Sequence, residues 1–130
     1  MNYTQLAEEA IKAKAKAHPP YSNFHVGAAL LTETDKVYLG ANIENSSYSL
    51  TICAERTAIF NAYLEGERKF KAIAIAGDAQ DFCPPCGACR QVISDLCGNI
   101  DVIMVNPKKE TKVLKLVELL PFAFGDKDLK

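Results

Sequence analysis

Charge of one sign is nowhere concentrated in this 130-residue sequence: 15 basic and 16 acidic residues give a formal net charge of -1, with no long run of either. A basic track for a nucleic-acid backbone is therefore missing, and a small-molecule partner is expected instead of a nucleic acid. Long hydrophobic runs are missing too. No apolar stretch approaches the ~20 residues of a membrane span, so no membrane partner is expected. Met1-Asn2-Tyr3-Thr4-Gln5 lacks the charged-then-apolar layout of a secretion signal, and a soluble cytoplasmic protein is the expectation. Internal repeats and low-complexity segments are absent. With 48% hydrophobic and 24% charged residues, the chain has the composition of a globular protein, and its length suits a single domain over residues 1–130.

What the sequence does have is cysteine, five in all. Without a secretion signal they argue against a disulfide framework. Two C-x-x-C spacings, Cys83 to Cys86 and Cys86 to Cys89, turn attention to metal or redox chemistry.

Residues 3–17 read as a helix, with Asn2 as N-cap, Gln5 three residues on, and Pro19-Pro20 as the stop. Strands are expected over residues 24–31 and 36–43, joined as an antiparallel hairpin by the turn at Glu33-Thr34-Asp35. A helix over 53–64 ends before Gly66, and the apolar run 71–76 reads as a strand buried on both faces. A loop over 78–85 precedes a helix over 87–96 closed by Gly98. Residues 102–105 form another buried strand, and 116–120 a short helix ended by Pro121. The order predicts an α/β fold, a three-layer α/β/α sandwich. Its mixed sheet of about five strands has the antiparallel hairpin followed by parallel strands. Ligand sites in such sheets lie beyond strand C-termini near helix starts, and both cysteine motifs fall where a helix begins.

Cys53-Ala54-Glu55 and Pro85-Cys86-Gly87-Ala88-Cys89 together supply three thiols and one carboxylate, the parts that hold a zinc ion and move protons beside it. Thiolates bind the metal, and a helix N-terminus lowers a cysteine pKa because its unpaired N–H groups favour negative charge. Cys86 and Cys89 lie on one helical turn, so both sulfurs can reach one ion. Glu55, in a first turn, can fold back over the helix end toward that ion. Three thiolates on a divalent cation leave a formal charge of -1. Arg56 and Arg90, each directly after a motif residue, are candidates to donate hydrogen bonds to sulfur and offset it. Two other readings stay open: a closed structural site of Cys53, Cys83, Cys86 and Cys89, and a metal-free redox pair of Cys86 and Cys89. Neither needs Glu55. His18 and His25 have no partner readable in the sequence and are taken as structural, and Cys97 as a small buried residue.

Nearly the whole chain resembles the small, homotetrameric, zinc-dependent cytidine deaminases of the cytidine/deoxycytidylate deaminase superfamily. Four segments carry the resemblance: Pro20-Tyr21-Ser22-Asn23-Phe24-His25-Val26-Gly27-Ala28-Ala29, Gly40-Ala41-Asn42-Ile43-Glu44-Asn45-Ser46-Ser47-Tyr48, Cys53-Ala54-Glu55-Arg56, and Pro85-Cys86-Gly87-Ala88-Cys89-Arg90-Gln91-Val92. The resemblance implies Cys53, Cys86 and Cys89 as ligands of one Zn²⁺ per subunit and Glu55 as the proton shuttle. It also implies Asn42 and Glu44 at the ribose hydroxyls, Phe24 against the pyrimidine and Ala54 in contact with substrate. Tyr48 and Phe124 would close a neighbouring subunit's pocket. The implied activity is hydrolytic deamination of cytidine and 2′-deoxycytidine in pyrimidine salvage. The alternatives are a deaminase of another amino-heterocyclic nucleoside, such as a nucleoside antibiotic, and a non-catalytic zinc-stabilised interaction module. Cys83, a fourth thiol beside the site, departs from the pattern.

Overall fold

The structure is a computed structural model that describes residues 1–129. Helix α1 (Tyr3–Ala13) starts where expected: Asn2 Oδ1 accepts from Gln5 N at 2.8 Å, and Gln5 Oε1 accepts from Asn2 N at 3.1 Å, a reciprocal capping box. Leu6, Ala7, Ala10 and Ala13 form its buried stripe. Beyond Ala13 the helix tightens into a 3₁₀ turn, Lys14–Lys16, and stops short of the two prolines. Strands β1 (Val26–Thr32) and β2 (Val37–Ala41) form the hairpin, with Leu31 opposite Val37. Then follow α2 (Ala54–Leu64), β3 (Phe70–Gly77), α3 (Gly87–Cys97) and β4 (Asp101–Val105). Strand β5 (Thr111–Lys115) and the short α4 (Leu116–Leu119) come next, and a 3₁₀ turn, Asp126–Asp128, lies beyond them.

The sheet runs β2-β1-β3-β4-β5. Its parallel part is the single pair β3/β4, and every other pairing is antiparallel. Strand β5 is the element the sequence pattern hides. It is a largely exposed edge strand with lysines at 112 and 115, so it lacks the apolar alternation that marks the inner strands.

Side chains on the inner strands point alternately to the two faces. Ala28, Leu30, Ile73, Ile75, Val102 and Met104 pack with α2 and α3, while Ala29, Leu31, Ala72, Ala74, Ile103 and Val105 pack with α1. Each fully buried leucine or isoleucine among them contributes roughly 1.5–3 kcal/mol. The outcome is the expected three layers, with α1 on one face of the sheet and α2 and α3 on the other.

Two glycines set how closely the helices approach. A Cβ at Gly27 would lie 2.2 Å from Ala10 O, and one at Gly40 would lie 2.2 Å from Ala54 O and 2.4 Å from Ala58 N. At both points helix backbone rests directly on strand backbone. Thr57 fastens the second crossing: its Oγ1 accepts from Ala41 N at 2.9 Å and lies 3.0 Å from Ala41 O and 2.9 Å from Ala54 O, within donating distance of both carbonyls. The N-terminus of α2, with Cys53 and Glu55, is thereby fixed against the hairpin.

Candidate active site

Helices α2 and α3 begin side by side. Cys53 is the N-cap of α2, Cys86 is the N-cap of α3, and Cys89 sits buried in the first turn of α3. The three Sγ atoms all lie within 4.8 Å of one another, and Cys53 and Cys86 are 3.9 Å apart. Zn–S bonds of about 2.3 Å in a tetrahedron need sulfurs about 3.8 Å apart. The donor set therefore fits a thiolate-held zinc ion. Among the described residues this trio is the one such cluster, and Cys83 is not in it.

Cys86 Sγ also accepts from Cys89 N at 3.4 Å, as an N-cap side chain does. Arg56 donates from Nη2 to Cys53 Sγ at 3.3 Å. The thiol of Cys89, hydrogen-bonded to Cys53, and then the Arg56 guanidinium, pull the Cys53 pKa down to about 5 against the cost of burial. The same contact holds Cys89 protonated, with its pKa well above the usual thiol range. Cys53 is thus favoured as a thiolate before a metal arrives, and a divalent cation would ionise Cys89 as well.

Glu55 lies in the first turn of α2 and is 4% exposed. Burial pushes its pKa up to about 7. Charge at Cys53 adds to this, while its own backbone N–H, a hydrogen bond with Cys89 and the Arg56 charge work the other way. A carboxyl at that value exchanges protons readily in both directions near neutral pH.

A cavity of about 220 Å³ opens over this floor, lined by Phe24, Asn42, Ala54, Glu55 and Cys83 among others. A neighbouring cavity of about 340 Å³ is lined by Tyr21, Ser22, Glu44, Tyr48 and Thr51, and Thr51 belongs to both. Asn42 faces the backbone of the Phe24 segment: Nδ2 donates to Phe24 O at 2.8 Å and Oδ1 accepts from Val26 N at 2.9 Å. Glu44 accepts from Tyr21 N at 2.9 Å, from Ser22 N at 3.0 Å and from the Ser22 hydroxyl. Those donors, the Ser22 hydroxyl foremost, hold its carboxyl below the usual carboxylate range.

Residues 1–105 match the family described as the cytidine and deoxycytidylate deaminase zinc-binding region. The chain belongs to this family. It is 48% identical over 130 residues to a cytidine deaminase of Sporosarcina psychrophila, covering 99% of this chain and 96% of that one. With a cytidine deaminase of Halalkalibacterium halodurans the identity is 49%, covering 99% and 98%. A crystal structure of cytidine deaminase from Burkholderia pseudomallei matches the fold with a TM-score of 0.92 at 46% identity, covering 95% of this chain and 100% of that chain.

Within this deaminase-family site the structure brings Phe24, Asn42, Ala54 and Glu55 to the cavity that Cys53 and Cys86 also line, and Glu44 and Tyr48 to its neighbour. Phe124 lines neither. It lies with Pro121 and Phe122 on a separate surface, where its carbonyl accepts from Gln91 Nε2 at 2.7 Å. Arg90 does not reach sulfur as Arg56 does: its guanidinium donates to Pro85 O at 2.9 Å and Leu119 O at 3.0 Å. It holds the backbone just before Cys86 instead. Sequence reasoning missed Thr51, shared by both cavities, and Ser22, which signals its role only through contact with Glu44. His25 has a partner after all, since its N and Nδ1 both meet Asp78 Oδ2, at 2.7 and 2.8 Å. Cys97 is half-buried against the core, and burial raises its pKa to about 12.

Proposed function

We propose that this chain is a hydrolase that deaminates cytidine and 2′-deoxycytidine to uridine and 2′-deoxyuridine with release of ammonia, using one zinc ion per subunit. The observation that carries this reading is a buried Glu55 carboxyl that lines one cavity together with Cys53 and Cys86, whose sulfurs cluster with that of Cys89. A structural zinc site or a redox pair has no use for such an acid.

Zinc held by the three thiolates supplies Lewis acidity and makes water a nucleophile at neutral pH. The remaining work falls to the chain's own side chains. Glu55 takes one proton from the attacking water and passes it to N3 as the C4–O bond forms. It then moves the proton of the new C4 hydroxyl to the amino group, so that the C4–N bond breaks, the C4 carbonyl forms and ammonia leaves. Burial at 4% exposure keeps that carboxyl on one proton path and away from bulk water. Phe24 and Ala54 wall the pyrimidine, and the ribose is addressed by Asn42 from the first cavity and by Glu44 from the second. Arg56, donating to Cys53 Sγ, offsets the negative charge of the thiolates.

Tyr48 is 72% exposed and Phe124 57% exposed. An exposed Tyr48 at the second cavity and an exposed Phe124 on a separate surface support a homotetramer in which neighbouring subunits close each other's sites. All five cysteines are free, which supports work in a reducing cytoplasm, where release of uridine from cytidine would serve pyrimidine salvage. No helix among the described residues is long and apolar enough to cross a membrane.

The decisive experiment follows the ultraviolet absorbance of cytidine incubated with the purified protein, before and after chelation. Loss of the cytidine band that stops on zinc removal is expected. Unchanged absorbance with one zinc bound per chain would sink the proposal in favour of a zinc-stabilised interaction module. Glu55→Gln should retain zinc and nucleoside binding while turnover falls by about 10²-fold or more.

A further inference from the structure

The geometry points to Ser22 as a positioning residue that fixes the Glu44 carboxylate and the Phe24 backbone as one unit. This rests on the reading above, in which Glu44 meets the sugar and Phe24 the base.

A serine hydroxyl can accept and donate at once, and here it does both. Ser22 Oγ accepts from Phe24 N at 3.0 Å and donates to Glu44 Oε2. Between them Asn23 takes a left-handed conformation, φ 56°, and its N–H is held by Pro19 O at 2.9 Å, so the turn that presents Ser22 is itself pinned. From the other side Asn42 donates to Phe24 O at 2.8 Å. Asn42 and Glu44 are two residues apart on one segment. The contacts therefore close a ring that runs from Glu44 through Ser22 and Phe24 to Asn42 and back along the chain to Glu44.

The ring constrains what the carboxylate can still do. An ionised carboxylate has about four acceptor positions. Tyr21 N and Ser22 N occupy two on Oε1, and the Ser22 hydroxyl occupies one on Oε2. The position that remains on Oε2 has its direction set by Ser22, and it suits a single hydroxyl donor such as a sugar O–H. Removing the Ser22 hydroxyl frees Oε2 to rotate and releases Phe24 N from its acceptor. Both losses weaken binding and leave the groups at the three sulfurs untouched.

The test compares the wild-type enzyme with Ser22→Ala and Ser22→Thr on cytidine and on 2′,3′-dideoxycytidine, with zinc content measured on each preparation. Ser22→Ala is expected to raise KM for cytidine roughly tenfold, the loss of a hydrogen bond to a charged group, with kcat changed by less than about threefold. Ser22→Thr, which keeps the hydroxyl, should restore most of the loss. On the dideoxy substrate, which lacks the 2′- and 3′-hydroxyls that Glu44 would meet, the Ser22→Ala penalty should shrink to about threefold or less. In a Glu44→Gln background Ser22→Ala should add less than about threefold for cytidine. An equal penalty on both nucleosides, or a full penalty on top of Glu44→Gln, would overturn the inference. A wild-type protein that holds zinc yet turns over neither nucleoside overturns the deaminase reading itself, a result distinct from an active enzyme whose variants lose activity uniformly.

Discussion

Arg56 Nη2 lies 3.3 Å from Cys53 Sγ, three residues earlier at the start of the same helix. The guanidinium is a fixed positive charge beside a cluster that, fully ionised around a divalent cation, carries a formal charge of -1. Its own pKa is raised by that bond to sulfur, the reciprocal of the lowered Cys53 pKa. Among the described residues Arg56 Nε is buried without a hydrogen-bond partner, and the side chain is held by its contacts with the sulfurs of Cys53 and Cys89. Arg56→Gln should leave zinc bound and reduce kcat by about 10-fold or more, the usual effect of losing an outer partner of a metal ligand. Metal analysis and turnover on the same sample check this, and an unchanged kcat would remove Arg56 from the chemistry.

Cys83 lines the cavity, is buried, and sits outside the sulfur trio. Burial, with the Glu55 charge adding, pushes its pKa up to about 11, so it stays a thiol. Cys83→Ser should therefore keep one zinc per chain, whereas Cys89→Ala should lose it. Metal stoichiometry of the two purified variants decides the matter; loss of zinc from Cys83→Ser would restore the four-cysteine structural site.

Legibility tracked distance along the chain. Cys86 and Cys89, three apart at a helix start, were readable because helical geometry alone brings them together. Glu55, two after Cys53, was readable because a first-turn carboxylate can fold back over the helix end. Glu44 and Ser22 are 22 residues apart, Thr57 and Ala41 16, and His25 and Asp78 53, so nothing local announces those pairs. Arg56 and Arg90 look alike in the sequence, each beside a motif residue. Their roles part because the Leu119 carbonyl, 29 residues away, captures one guanidinium. Strand β5 escaped for a different reason. Exposed at the sheet edge, its pattern is set by solvent and not by a core face.

Asp78 ties the turn after α1 to the loop after β3: it accepts from His25 N at 2.7 Å and from His25 Nδ1 at 2.8 Å, and pairs with Lys14 Nζ at 2.9 Å. Burial opposes its ionisation, but these donors outweigh it and bring the carboxyl from 3.8 down to about 2. A carboxylate with a depressed folded-state pKa stabilises fully above its unfolded value and loses that contribution as pH falls through the folded one. Asp78→Asn should thus lower stability by ~1 kcal/mol or less at neutral pH, since the pair is partly exposed. The gap to wild type should close between about pH 4 and pH 2. Urea midpoints measured across that range test it, and a gap that persists unchanged at pH 2 would show that the charge is not the cause.

Gly40 governs where helix α2 sits. A methyl group there would meet Ala54 O at 2.2 Å, Ala58 N at 2.4 Å and Thr57 Oγ1 at 2.6 Å. The first two are helix backbone, which has no rotamer to change, so Gly40→Ala must lift α2 off β2 and stretch the Thr57 bonds to Ala41. The expected cost is at or above the ~3 kcal/mol end of overpacking effects. Because Cys53 and Glu55 ride on the displaced helix end, zinc affinity and turnover should fall along with stability. Gly125→Ala is the control: a Cβ there meets nothing within 4 Å, and its denaturation midpoint should shift by less than ~0.5 kcal/mol. If Gly40→Ala unfolds at the same denaturant concentration as Gly125→Ala and holds zinc equally well, then the close backbone crossing is not what seats α2, and the sulfur trio owes its convergence to contacts elsewhere along the helix.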